Sequence, residues 1–149
     1  MLETRRVLRI EESDVHDYEV LLSQVPLVDL RGRRALSYLQ KLVAFGEVHA
    51  VYEDGRPRGF IGFYANDNIT RQAYLSFLVV DSSLRGKGCG ASLVERFIDV
   101  CRTAEMRSIE LNVAVFNHAA IDFYSRFGFH TAGRGRDDEH IRMCMNLQT

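Results

Sequence analysis

Ala73-Tyr74-Leu75-Ser76-Phe77-Leu78-Val79-Val80-Asp81-Ser82-Ser83-Leu84-Arg85-Gly86-Lys87-Gly88-Cys89-Gly90-Ala91 runs from apolar, strand-like residues through a polar turn into closely spaced glycines. Beyond it, Val94, Phe97, Ile98 and Cys101 recur at helical spacing. A strand, a glycine-rich turn and a helix start, in that order, make a cradle for a pyrophosphate. The glycines let the backbone come close to an anion. The helix N-terminus aims unpaired N–H groups and partial positive charge at it.

Two familiar phosphate loops do not fit. A P-loop needs a hydroxyl residue directly after its lysine, and Gly88 follows Lys87. A dinucleotide fingerprint needs Gly-x-Gly-x-x-Gly, whereas Gly86, Gly88 and Gly90 alternate, and Glu105 precedes the next strand instead of ending it. The segment instead resembles the Arg/Gln-x-x-Gly-x-Gly/Ala turn of the GNAT superfamily of N-acetyltransferases, with Arg85, Gly88 and Gly90 at its defining positions. A second block, from Glu110-Leu111-Asn112-Val113 through Asn117 and Tyr124 to Gly128-Phe129, is similar to that superfamily's strand, Asn, short helix, Tyr and closing Gly-Phe. The resemblance covers nearly the whole chain.

Working outward, Arg6 to Ile10 reads as a first strand. Ser13 can cap a helix to about Ser23, and Asp29 a second helix to about Phe45 that Gly46 stops. Glu47 to Glu53 and Arg58 to Ala65 form a hairpin around Asp54-Gly55. Ala73 to Val80 is the next strand, with a helix from about Gly88 to Ala104 after the turn. Ser108 to Val113 is a strand, Asn117 caps a helix ending at Gly128, and Phe129 to Ala132 and Ile141 to Leu147 are the last strands. This order is α+β. It agrees with the fold the resemblance implies: one GNAT domain over residues 1–149, with a mixed, mostly antiparallel sheet of about seven strands and helices on both faces.

Composition sets bounds. The chain of 149 residues is 46% hydrophobic and 26% charged, with a net charge of −1. That suits one globular domain and argues against non-specific nucleic-acid binding. No apolar run reaches the ~20 residues of a membrane span, and the first residues lack the apolar core of a signal peptide. Cys89, Cys101 and Cys144 are widely spaced, without metal-type pairing, and read as reduced thiols of a cytoplasmic protein that needs no metal.

The resemblance implies acetyl transfer from acetyl-CoA to an amine. Cofactor contacts then fall to Arg85, Gly86, Lys87, Gly88, Cys89, Gly90 and Ala91, and to the backbone of Leu78 and Val80, with an N–H near Leu78 or Val79 at the developing oxyanion. Asn117 matches the residue on the cofactor arm. Tyr124 matches the acid that protonates the leaving sulfur, and a phenol with pKa ~10 holds its proton at neutral pH. In protein-lysine relatives a glutamate stands eleven residues before the turn's Arg/Gln; Tyr74 occupies that position here, which weakens that subtype.

Glu110 and Asn112 alternate with Ile109, Leu111 and Val113 and share one strand face. Glu110 is the carboxylate candidate for the base, with His49 as an alternative relay and a water chain as another. Arg31 and Arg34, with Tyr74 and Asn112, are acceptor candidates. Arginines favour carboxylate or phosphate groups, so a small anionic amine fits, and a protein amine stays open. A homodimer, as in many relatives, a longer acyl donor and a non-catalytic acyl-CoA sensor are further possibilities at this stage.

Overall fold

The computed structural model describes residues 5–11, 33–81 and 88–147. In chain order they form β1 (Arg5–Arg9), α1 (Arg33–Phe45), β2 (Glu47–Glu53), β3 (Arg56–Tyr64), β4 (Gln72–Val80), α2 (Cys89–Thr103), β5 (Ser108–Ala114), α3 (His118–Arg126), β6 (His130–Arg134) and β7 (His140–Asn146). The hydrogen-bonded order of the seven strands is β1-β2-β3-β4-β5-β7-β6. The expected helix from Ser13 to Ser23 lies outside the described residues. So does the start at Asp29 of the next, whose described part begins at Arg33.

The chain divides into two compact units. One comprises Met1–Tyr64 with Ser76–Val100, the other Ala65–Leu75 with Cys101–Thr149. In the first unit, β1, β2 and β3 form an antiparallel meander. Asp54 and Gly55 take positive φ at the β2–β3 tip (51° and 80°), the backbone of a primed two-residue turn. β2 and β3 carry consecutive buried residues, not an alternating pattern. A strand buried on both faces needs two covers, and the two described helices of this unit supply one each.

Leu39, Leu42 and Val43 of α1 pack with Val48, Ala50 and Phe60 on one face. On the other, Phe97 of α2 meets Phe63 at 4.4 Å between ring centroids. Each such fully buried Phe contributes about 2–3 kcal/mol by burial. Gly46 ends α1 by donating to Leu42 O at 2.7 Å, and an added Cβ there would stand 2.5 Å from Phe63 O.

In the second unit β5 pairs along its length with β7, antiparallel, and β6 flanks β7. Ile109, Leu111 and Val113 are buried and alternate with half-buried Ser108, Glu110, Asn112 and Ala114. Met145 and Met143 stand opposite Ile109 and Leu111 and are buried with them. β4 pairs with β5 in parallel through Gln72↔Ser108, Ala73↔Ile109 and Tyr74↔Glu110.

Candidate active site

Helix α2 starts where the phosphate turn was expected. Gly88 precedes it with φ +85°, a left-handed conformation that the absence of a Cβ permits. The Gly88 carbonyl accepts from Ser92 N and Ser92 Oγ, both at 3.0 Å. No acidic side chain stands in the helix's first turn, so nothing there opposes an anion. Cys89 is buried; Gly90 and Ala91 are half-buried. Arg85, Gly86 and Lys87 lie outside the described residues.

On β4 the fully buried set is Ala73, Leu75, Phe77 and Val79, while Tyr74, Ser76, Leu78 and Val80 form the half-buried alternate set. Leu78 and Val80 thus belong to the half-buried side of their strand, not to its buried side.

Tyr124 sits in the last turn of α3, and its surroundings follow from local sequence. Asn117 caps the helix: its Oδ1 accepts from Ala120 N at 3.1 Å. At the other end Gly128 takes φ +105°. Gly128 N donates to Ser125 O at 3.1 Å and Phe129 N to Tyr124 O at 3.2 Å, the paired bonds of a Schellman stop. Phe123 and Phe129 hold the Tyr124 ring edge-on, at centroid distances of 5.3 and 5.7 Å. Burial around the phenol pushes its pKa well above the ordinary tyrosine value, so the group carries its proton at every physiological pH.

Glu110 and Asn112 do share the half-buried face of β5, and Tyr74 stands beside Glu110 in register. Each has a partner that sequence reasoning missed. Arg142 Nη1 donates to Glu110 Oε1 at 2.9 Å, and Arg142 Nη2 to Ala132 O at 2.8 Å. That hydrogen bond and Glu110's charge raise the pKa of the guanidinium. Asn112 Nδ2 donates to Tyr74 Oη at 3.0 Å, and Asn112 Oδ1 accepts from Arg136 N at 3.0 Å. The only sequence signal for Arg142 was its place opposite the Glu110 strand, which requires knowing the register.

His49 is buried at 4% exposure. Its Nε2 lies 3.1 Å from Glu47 Oε1, its Nδ1 accepts from Arg96 Nε at 3.3 Å, and its ring stacks on Phe63. These contacts give His49 a structural part. Of the arginines expected at the acceptor rim, Arg31 lies outside the described residues, and Arg34 falls in the first turn of α1. Among the described residues, no group of three or more His, Cys, Asp or Glu stands together as a metal site, and no helix is long and apolar enough to cross a membrane. Cys89, Cys101 and Cys144 are free thiols.

The sequence profile of the acetyltransferase (GNAT) family matches residues 10–129. An uncharacterised N-acetyltransferase of Methanocaldococcus jannaschii is 36% identical over 80 residues, which are 51% of this chain and 35% of that protein. The match therefore spans about a third of the archaeal relative's length. A putative ribosomal protein bS18-alanine N-acetyltransferase of Bacillus subtilis is 25% identical over 130 residues, 86% of this chain and 81% of the relative. Among solved structures, the PaiA N-acetyltransferase of Thermoplasma acidophilum in complex with coenzyme A superposes with a TM-score of 0.78 over 96% of this chain and 99% of its own, at 14% identity. At that identity the likeness is one of fold.

Proposed function

The chain belongs to the acetyltransferase (GNAT) family, and from that membership we propose that it transfers an acetyl group from acetyl-CoA to a primary amine by direct attack in a ternary complex. The observation that carries this reading is the left-handed Gly88 at the mouth of α2, a helix start of the kind that takes a phosphate group. For the rest of the cofactor assignment, the backbone of the half-buried Leu78 and Val80 on β4 is proposed to pair with the amide-bearing pantetheine arm.

In the proposed reaction the ammonium of the acceptor first loses a proton. The neutral nitrogen attacks the thioester carbonyl, an N–C bond forms, and the carbonyl electrons move onto oxygen. A backbone N–H near Leu78 or Val79 donates to that oxyanion; one preorganised donor of this kind is worth about 3 kcal/mol. As the carbonyl re-forms, the C–S bond breaks and Tyr124 gives its proton to the sulfur, and the acylated nitrogen gives up its second proton, which restores the phenol. Its raised pKa suits it to donate, not to ionise beforehand. The net change is amide, coenzyme A thiol and one proton released. Glu110 is the proposed proton acceptor, taking the proton as its bond to Arg142 yields.

For the acceptor, Arg31 and Arg34 support a small anionic amine. The similarity over 86% of the chain to the putative ribosomal protein bS18-alanine acetyltransferase favours a second reading, a protein α-amine. An acceptor screen with thiol detection and mass measurement of the acetylated product decides between them. Calorimetry with coenzyme A tests the premise, since absence of binding heat and of a thermal shift would remove the acetyl-CoA reading.

A further inference from the structure

The polar cluster around His49 has no part in the proposed chemistry, yet it ties α2 to the sheet. Arg96 reaches from α2 to two strands: its Nη2 donates to Val7 O at 2.6 Å and its Nε to His49 Nδ1 at 3.3 Å. Because Arg Nε can only donate, His49 Nδ1 must be the acceptor. The imidazole proton then sits on Nε2 and points to Glu47 Oε1 at 3.1 Å. Arg9 of β1 closes the set at 3.5 Å from Glu47, and Phe63 of β3 stacks on the imidazole. Among the described residues, Glu47 of β2, Arg9 of β1 and Arg96 of α2 are the charged groups of this cluster, and Phe63 faces His49 from β3.

Arg96 also lies on the helix face that leads back to the turn. Ser92 is one turn earlier and Gly88 one turn before that, and Ser92 binds the Gly88 carbonyl through both N and Oγ. A helix is stiff over two turns, so the bonds of Arg96 to β1 and β2 set where the Gly88 turn sits on the sheet. Phe97, the next residue, packs on Phe63 and prevents α2 from rolling.

We propose that Arg96, seated on the Nδ1 lone pair of His49, is a positioning residue that fixes the anion-binding turn of α2 and thereby controls affinity for the acetyl-CoA pyrophosphate. This rests on the acetyl-CoA reading above.

The test measures KM for acetyl-CoA, kcat, and amide hydrogen exchange of residues 89–93 in wild type, Arg96→Met, Arg96→Lys and His49→Asn. Arg96→Met should raise KM about tenfold (~1.4 kcal/mol), leave kcat within about twofold, and speed exchange in the first turn of α2. Arg96→Lys, which can still reach the Val7 carbonyl, should recover part of the loss. His49→Asn places an uncharged acceptor near the Nδ1 position and should keep KM near the wild-type value. A folded Arg96→Met with wild-type KM and wild-type exchange overturns the proposal. Should that variant not fold, a folded Arg96→Lys protein with wild-type KM and wild-type exchange overturns it instead. If wild type binds no coenzyme A, the acetyl-CoA reading falls, and the exchange arm alone then decides whether Arg96 fixes the turn.

Discussion

Phe129 holds Tyr124 in two ways: its amide donates to the Tyr124 carbonyl at 3.2 Å, and its ring stands edge-on to the tyrosine ring at 5.7 Å. The same helix stop that terminates α3 therefore orients the proposed acid. Phe129 is buried, so the tyrosine rests on the core of its unit instead of hanging from a helix end. Removing the phenolic oxygen alone should leave this packing intact. Tyr124→Phe should lower kcat by roughly 10²–10⁴ with little change in coenzyme A affinity, read by steady-state kinetics beside calorimetry. An unchanged kcat would take Tyr124 out of the acid role.

Gly128 makes that stop possible. A Cβ added there would meet Met145 Sδ at 3.5 Å, an ordinary contact, so space is not the obstacle. The cost of Gly128→Ala is backbone strain at φ +105°, about 1–2 kcal/mol. A lowered Tm in thermal unfolding checks it, and a Tm equal to wild type would show that the turn relaxes without penalty.

At Gly88, strain and charge can be separated. Asn and Asp have nearly the same shape and both tolerate left-handed backbone. Gly88→Asn and Gly88→Asp should thus be similarly stable. The aspartate variant should bind coenzyme A at least tenfold more weakly, with the gap narrowing at high salt. Equal affinities would mean that the diphosphate lies elsewhere.

Asn117 combines a helix cap with a proposed cofactor contact. Asn117→Ala should cost about 1 kcal/mol by leaving Ala120 N without its acceptor. Asn117→Ser keeps a capping oxygen and loses the amide. It should therefore keep a near wild-type Tm while KM for acetyl-CoA rises. Wild-type KM in the serine variant would leave the residue as a cap alone.

Glu47 gives the fold a predictable acid limb. The hydrogen bond from His49 holds its carboxyl below the ordinary value against the opposing effect of burial, assisted by the charges of Arg9 and Arg96. A carboxyl with a lowered folded-state pKa contributes stability above its unfolded pKa, and that contribution is lost as pH falls through the folded value. Urea unfolding between about pH 6 and 3 should show wild type losing stability more steeply than Glu47→Gln. Parallel curves would mean that the pair contributes nothing through protonation.

Much of the site was legible because its signals are local. Asp54-Gly55, Gly88, Asn117 and Gly128 each sit in the turn or cap that their side chains, or lack of one, demanded. The alternation of Glu110 and Asn112 with Ile109, Leu111 and Val113 correctly placed the first two on one strand face. Strand ends shifted by a residue or two, as with β3, which starts at Arg56 instead of Arg58. There the tight turn carries the ladder to Glu53↔Arg56, and Pro57 is accommodated beside a register shift.

By itself the amino-acid order determined the succession of elements, the conformation of the turns and the helix stop beneath Tyr124, since each depends on residues within a few positions of one another. Partner choice was decided only by tertiary structure. Arg142 meets Glu110 across 32 positions, Asn112 meets Tyr74 across 38, and Arg96 meets His49 across 47. Side chains this far apart along the chain are brought together by strand register and helix packing, and those are set by burial of the apolar faces as a whole, not by any short stretch of residues.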